Sequence, residues 1–420
     1  MKYFALHAPA TGATQDALGT ASGQVKWARL ILAGLAIVLM LMTWWLFGWQ
    51  FGQSRPLIDF DAFYIVAKSV WLGDLDQVYH LDKFKKLQID AVGGSVNQLG
   101  HWTYPPQFDL LIAPLGLVHV GTAYFLFIAT TLGLYLGTLR AISKDCFALV
   151  VILLSPALLL TLIGGQNGFL TGSLAGLTCV AIERKRLVAG CSLGLMVIKP
   201  HLAAGVAIYA LLARRWITVI TAIGIIISSS ILCTLLFGVQ IWSSFLSSAQ
   251  DLSAYYGSGR FDLYRSISFY AVLRSAGFPA ALALVGQAVV ALAALSVVAL
   301  AIYRELPARR SLGIAAIASL LTSPYAYDYD LPILGVGMAL LLPDLKHLAT
   351  SLERRAIFGL TFTAGFYGAF QIVRLLIQDE KRSIDQPAIG GLVLAALLCL
   401  ILRVSLRANE RSRLGASNVE

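Results

Sequence analysis

Twelve apolar runs divide the chain, at 28–50, 107–139, 145–163, 167–182, 187–198, 201–213, 216–238, 279–303, 311–322, 331–343, 356–378 and 386–405. Runs of this number and length leave few folds open. A helix needs about 20 apolar residues to cross the hydrocarbon of a bilayer, and in lipid every backbone N–H and C=O must be satisfied within the protein. The first run follows a polar start, exceeds the apolar core of a signal peptide and has no small-residue cleavage pattern behind it. It reads as an uncleaved first span. With 58% hydrophobic and 13% charged residues, the chain is predicted to be an all-α polytopic membrane protein with about 12 membrane segments.

Several runs are too short to span alone, and the charges say how they pair. The basic clusters Lys26/Arg29, Arg140/Lys144, Arg184/Lys185/Arg186, Arg214/Arg215, Arg304/Arg309/Arg310, Lys346/Arg354/Arg355 and Arg403/Arg407/Arg411/Arg413 fall on one side only if 145–182, 187–213 and 311–343 are hairpins. That side then holds 20 Lys and Arg against 8 Asp and Glu, a net +12, and the other holds 12 against 14, a net −2. An excess of basic residues marks the cytoplasmic face. The tails 1–27 and 406–420 are therefore predicted to be cytoplasmic, flanking a transmembrane domain at 28–405, with the loops 51–106 and 239–278 on the opposite face. Basic residues spread over seven segments orient a chain; they do not make the concentrated patch that nucleic acid requires, and no nucleic-acid partner is expected. Cys146, Cys179, Cys191, Cys233 and Cys399 form no CxxC pair and lie in or beside apolar stretches, which speaks against a disulfide framework and against zinc.

The hairpin tips are the polar breaks in this apolar sequence: Gly164-Gly165-Gln166-Asn167-Gly168, Lys199-Pro200-His201, and Ser323-Pro324-Tyr325-Ala326-Tyr327-Asp328-Tyr329-Asp330. Irregular backbone and ionisable groups at membrane depth need protein or a water-filled cavity around them. One tip alone is a turn, since Gly and Pro make turns anyway. Three such tips opposite the basic clusters predict a shared site on the non-cytoplasmic side. Within the first outer loop, residues 61–72 set Phe63, Val66, Ala67 and Val70 on one helical face, the pattern of an interfacial helix. Asp59 and Asp61 open that stretch, and each has the competing role of capping the helix. The loop closes with His101-Trp102-Thr103-Tyr104-Pro105-Pro106, where the prolines stop any helix. The second loop carries Arg260, Asp262, Arg265 and Arg274.

Taken together, Asp59-Phe60-x-x-Phe63-Tyr64-x-x-Ala67, Gly73, Val78-Tyr79, Tyr104-Pro105-Pro106, Gly165-Gln166-Asn167, Lys199-Pro200-His201 and Ser323-Pro324-Tyr325 resemble glycosyltransferase family 87 in the same order from about residue 28 to 405. That family contains polyprenol-phosphate-mannose-dependent alpha-mannosyltransferases. The resemblance implies a GT-C-type helical bundle with interfacial helices in the first outer loop, a polyprenyl-phosphate-sugar donor and inverting transfer to a lipid or glycan acceptor. It also implies a catalytic aspartate at Asp59, with Asp61 as the alternative base. Mannosyltransferases of the family often have histidine after the Ser-Pro pair, where this chain has Tyr327, Asp328, Tyr329 and Asp330; the sugar, expected to be mannose, is the part this departure touches.

An inverting transfer requires a base for the acceptor hydroxyl and cations for the departing lipid phosphate. The expected phosphate ligands are Lys199, Arg260, Arg265 and Arg374, the last inside an apolar span near its outer end, where snorkelling to the interface competes with function. The expected sugar and acceptor ligands are Tyr104, Gln166, Asn167, His201, Tyr327, Asp328 and Asp330. Turn formation is the competing role for Gln166 and Asn167, and helix capping for His201. No cofactor and no metal is expected. The enzyme is expected in a bacterial inner membrane, among membrane lipids, with its site facing the periplasm or exterior. A polytopic lipid or glycolipid transporter is the alternative; it requires charged residues along a path through the bilayer, whereas here the polar groups gather at one end.

Overall fold

The computed structural model describes residues 12–48, 56–92, 100–257, 263–378 and 386–417. The fold is all helical, and among the described residues there is no strand, only one isolated antiparallel bridge between Ser266 and Tyr327. The first span is Gly12–Phe47 (α1). Asp59–Leu72 (α2), Leu75–Val78 (α3), Leu81–Val92 (α4) and Pro106–Ile112 (α5) build the first outer loop and its return. Val120–Ser143 (α6), Phe147–Gly164 (α7), Gly168–Ala181 (α8), Arg186–Leu195 (α9), Ala204–Leu212 (α10) and Trp216–Phe237 (α11) follow. Gln240–Gly257 (α12) and Phe269–Ser275 (α13) lie in the second loop, before Ala280–Tyr303 (α14), Ala308–Leu320 (α15), Pro332–Leu348 (α16), Ser351–Gln378 (α17) and Gly390–Ser417 (α18).

Six stretches are long and apolar enough to cross a membrane: Ser22–Phe47, Val120–Gly164 (which holds α6 and α7), Trp216–Phe237, Ala280–Tyr303, Ser351–Leu375 and Gly390–Glu410. The protein is a multi-pass membrane protein. Shorter apolar helices stand among these spans, and the three polar tips separate them as the sequence pattern predicts: α7 from α8, α9 from α10, α15 from α16. The helices α15, α16 and α8 form the centre of the bundle, with Ile314, Ile317, Leu334, Met338 and Phe169 fully buried. By contrast α11 turns most of its isoleucines outward and is only 11% buried, as a lipid-facing helix is.

Two details depart from the sequence expectation. The apolar run 107–139 is not one helix: α5 and a 3-10 turn at Ala113–Leu117 precede a span that begins at Val120, because Pro114 and Gly116 break the run. That turn packs on α2, and a Cβ at Gly116 would stand 2.6 Å from the carbonyl oxygen of Ala67. As a result α2 is covered on nearly all sides, with Phe60, Phe63, Tyr64, Ile65, Val66, Ala67 and Ser69 buried and Trp71 and Leu72 exposed at its end. It is an embedded helix.

Candidate active site

The two acids that open α2 have different work. Asp61 is 2% exposed, and its Oδ2 accepts from the backbone N–H of Ile58 at 2.7 Å, reaching back from the third helical position to satisfy a free donor of the first turn. Asp59 sits at the first helical position and is half-buried. Its carboxylate makes no hydrogen bond or ion pair among the described residues. It faces the first tip, where a Cβ on Gly164 would stand 3.3 Å from its Oδ2. Gly165 ends α7 in the left-handed region at φ +66°, which turns the chain sharply into Gln166 and Asn167.

The third tip is a single 3-10 turn at Asp328–Asp330, and the two-residue spacing sends its acids to different partners. Asp328 takes Arg265 of the second loop in a two-point contact, Nε to Oδ2 at 2.9 Å and Nη2 to Oδ1 at 3.0 Å. Asp330 takes Lys199 of the second tip at 2.7 Å through Oδ1, while its Oδ2 accepts from the N–H of Tyr327 at 3.1 Å. Burial works to discharge Lys199, and the Asp330 carboxylate together with Tyr104 outweighs it, holding the ammonium above its ordinary pKa. Lys199 Nζ also lies 4.7 Å from the ring centre of Tyr329 and 5.6 Å from that of Tyr104. Arg265 lies 5.8 Å from the Tyr327 ring, which stacks on Tyr329.

The tips therefore meet. Beyond the Lys199–Asp330 pair, Thr322 donates to the carbonyl oxygen of His201 at 2.9 Å, and Ile267 N–H to that of Ala326 at 2.9 Å beside the Ser266–Tyr327 bridge. Gly168 presses on the third tip so closely that a Cβ would fall 1.9 Å from Tyr329 O, and on α17 a Cβ at Gly368 would fall 2.6 Å from Asp328 Oδ2. The charge of Asp59 reaches Arg265, Asp328, Tyr104 and Tyr329, which places it in the same group. Tyr104 comes from the end of the first loop, its hydroxyl 3.5 Å from Gln166 Oε1.

Of the other residues expected in the site, Asn167 is fully buried and His201 Nε2 is buried, and among the described residues neither amide atom of the first nor that nitrogen of the second has a hydrogen-bond partner. Buried polar atoms of this kind are places for a ligand hydroxyl or an ordered water. Arg374 donates to Gln386 at 3.1 Å toward the outer end of α17. Arg260 lies outside the described residues. Among the described residues no group of three or more His, Cys, Asp or Glu is placed to hold a metal ion. Tyr329 was noted in the sequence as part of the departure after the Ser-Pro pair and was not expected among the site ligands, although its place between two acids is a signal. Gly368 and Asp109 were missed as well; Asp109 stood out only as a charge inside an apolar run.

The arrangement has a defined chemistry. A carboxylate with no hydrogen bond or ion pair among the described residues stands within electrostatic reach of Arg265, in one group with the Lys199–Asp330 pair, aromatic rings and unsatisfied amide and imidazole groups, which gives the cluster proton-accepting, anion-binding and hydrogen-bonding groups side by side. Family comparison makes the class specific. The sequence pattern of glycosyltransferase family 87 matches residues 102–324, more than half of the chain, and the protein belongs to that family: it is a membrane glycosyltransferase. The matched stretch includes Tyr104, the first two tips, Arg265 and the start of the third tip, and it leaves out Asp59, Asp61, Asp328 and Asp330. No curated protein and no solved structure gives a significant match.

Proposed function

We propose that the protein transfers a hexose, mannose by the family resemblance, from a polyprenyl-phosphate-linked donor to a lipid or glycan acceptor, with inversion and with Asp59 as general base. The observation that carries this reading is the division of labour among four site acids. Asp61 caps a helix, Asp328 and Asp330 hold Arg265 and Lys199, and Asp59, half-exposed, is the one of the four with no hydrogen bond or ion pair among the described residues. A general base has to be free to accept a proton at hydrogen-bond distance from the acceptor hydroxyl. Lys199 and Arg265 are the phosphate-binding cations of this reading, with Asp328 and Asp330 steering them; Asn167, His201 and Gln166 supply hydrogen bonds to sugar hydroxyls. The site faces the periplasm or exterior of a bacterial inner membrane with both tails cytoplasmic, a reading supported by the basic residues at the opposite end.

The test incubates membranes with radiolabelled polyprenyl-phosphate hexoses and follows label into lipid and glycan. Asp59→Asn is expected to lower transfer by about a hundredfold or more while the protein still binds donor, because asparagine keeps the size of aspartate and cannot take the proton. Asp61→Asn retains activity, since an amide oxygen still accepts from Ile58 N–H. An active Asp59→Asn beside an inactive Asp61→Asn moves the base to Asp61, and full activity in both ends the carboxylate mechanism in this loop.

A further inference from the structure

We propose that Asp109 is a positioning residue held as a neutral acid, whose proton completes a hydrogen-bond chain that fixes Tyr104 in the transferase site. The inference rests on the reading that transfer takes place beside Tyr104, and it begins from a count of protons. Asp109 has no exposed surface. Its Oδ1 accepts from the indole N–H of Trp102 at 2.9 Å, and its Oδ2 lies 2.6 Å from the hydroxyl of Tyr79. The same hydroxyl lies 3.0 Å from the carbonyl oxygen of Tyr104. Three oxygens in a row with two short contacts need two protons, and Tyr79 has one. The carboxyl group supplies the second when it is protonated: Asp109 donates to Tyr79, and Tyr79 passes its own proton to Tyr104 O. When Asp109 is ionised the tyrosine proton turns to the carboxylate, and the carbonyl of Tyr104 loses its donor in a dry place.

The surroundings favour the neutral form. Phe63, Phe108 and Trp102 pack together around the start of α5, and the titratable groups that act on Asp109 are Tyr79 and, from α11, the Cys233 thiol; among the described residues no lysine, arginine or histidine does so. Burial pushes the carboxyl up to about 7, against the pull of the bonds from Tyr79 and Trp102. A carboxylic acid kept protonated in an apolar site in order to donate a hydrogen bond is an established device. What the chain holds is relevant to the site. Tyr104 lies over Lys199, its hydroxyl reaches toward Gln166, and its ring packs on Phe63, Trp102 and Phe108.

The experiment uses the full-length enzyme in membranes, with transfer from radiolabelled polyprenyl-phosphate hexose measured between about pH 5.5 and 8.5. The wild type is expected to lose kcat along a limb centred near pH 7. Asp109→Asn should keep the low-pH activity within about threefold and lack that limb, because the amide N–H donates to Tyr79 while the amide oxygen accepts from Trp102. Tyr79→Phe should lower kcat about tenfold and leave the donor KM unchanged. Retention of the limb in Asp109→Asn, or inactivity equal to that of Asp109→Leu, overturns the proposal. A second readout is independent of transfer. The folded carboxyl binds its proton more tightly than the unfolded one, so its contribution to stability falls from about pH 4 to about pH 7 and levels off above it, and the stability difference between wild type and Asp109→Asn is expected to fall with it. Asp109→Asn lacks this slope. If no donor is turned over, the reading of the substrate fails by itself and stability decides: a difference between wild type and Asp109→Asn that does not change from about pH 4 to about pH 7 rejects the neutral acid.

Discussion

Lys199 shows what a single buried charge imposes on its neighbourhood. It is 7% exposed, its one carboxylate partner is Asp330, and that acid is 1% exposed. Removing one member of a buried pair leaves the other unpaired, at a cost of about 3–5 kcal/mol, whereas replacing both can be nearly neutral. Lys199→Met is therefore expected to lower stability by that amount in detergent unfolding, and Lys199→Met with Asp330→Leu to restore most of it while transfer stays lost. A double variant as unstable as the single one shows that the pair does not couple the tips. The sequence could place Lys199 and Asp330 on polar tips, because charged residues inside apolar runs stand out. It could not pair them, since which cation meets which acid is decided by packing over 131 residues of separation. The engagement of Asp61 with Ile58 was legible as a capping pattern three residues long. The neutral donor chain of Asp109 was not, because it needs three side chains and a carbonyl from three separate segments.

Among the elements, α7 and α16 each carry a proline inside the helix, Pro156 and Pro343. A proline leaves the carbonyl four residues earlier without its N–H donor, a loss worth several kcal/mol where no water can replace it. Both carbonyls have been provided for. Ser155 Oγ donates to Ile152 O at 2.9 Å, and Arg309 Nη2 donates to Ala339 O at 3.2 Å. Arg309 also donates to Leu340 O at 2.8 Å and to Ile142 O at 2.7 Å at the end of α6, so one guanidinium joins three helices. Read from the sequence, Arg309 was one of several basic residues that orient the chain; its place in the helix ends became visible only with α6 and α16 beside it. Arg309→Met is expected to destabilise the protein by about 3 kcal/mol or more, and Arg309→Lys to recover part of this because an ammonium lacks the planar fork. Equal unfolding of Arg309→Met and wild type would refute this role.

At the scale of the whole molecule, the ion pairs fall into two groups. Arg407 with Glu353, Arg310 with Asp344 and Arg304 with Glu410 lie at one end, while the Asp–Arg and Asp–Lys pairs of the site lie at the other. The basic-residue count behind the proposed orientation is a property of composition along the chain, which is why it can be read without a structure. The number of crossings was less so, because a short apolar run has the same appearance whether it spans or returns. Orientation is testable with exposed positions at each end. A membrane-impermeant thiol reagent added outside intact cells is expected to label Lys83→Cys and to leave Ser351→Cys unlabelled until the membrane is opened. The reverse pattern inverts the proposed topology.

The ion pairs of the third tip also set a schedule for how the protein is made. Lys199 enters the membrane with the second hairpin, but Asp330 is synthesised 131 residues later and Asp328 follows Arg265 by 63. At roughly 5–20 residues per second, the lysine waits about 7 to 26 s for its counterion. Throughout that interval a lone ammonium stands at the end of two short apolar helices, a state that the insertion machinery or a passing anionic lipid has to shelter. Chain termination between residues 199 and 330 leaves the ammonium without that carboxylate for good, so products truncated there are expected to be less stable than the full chain.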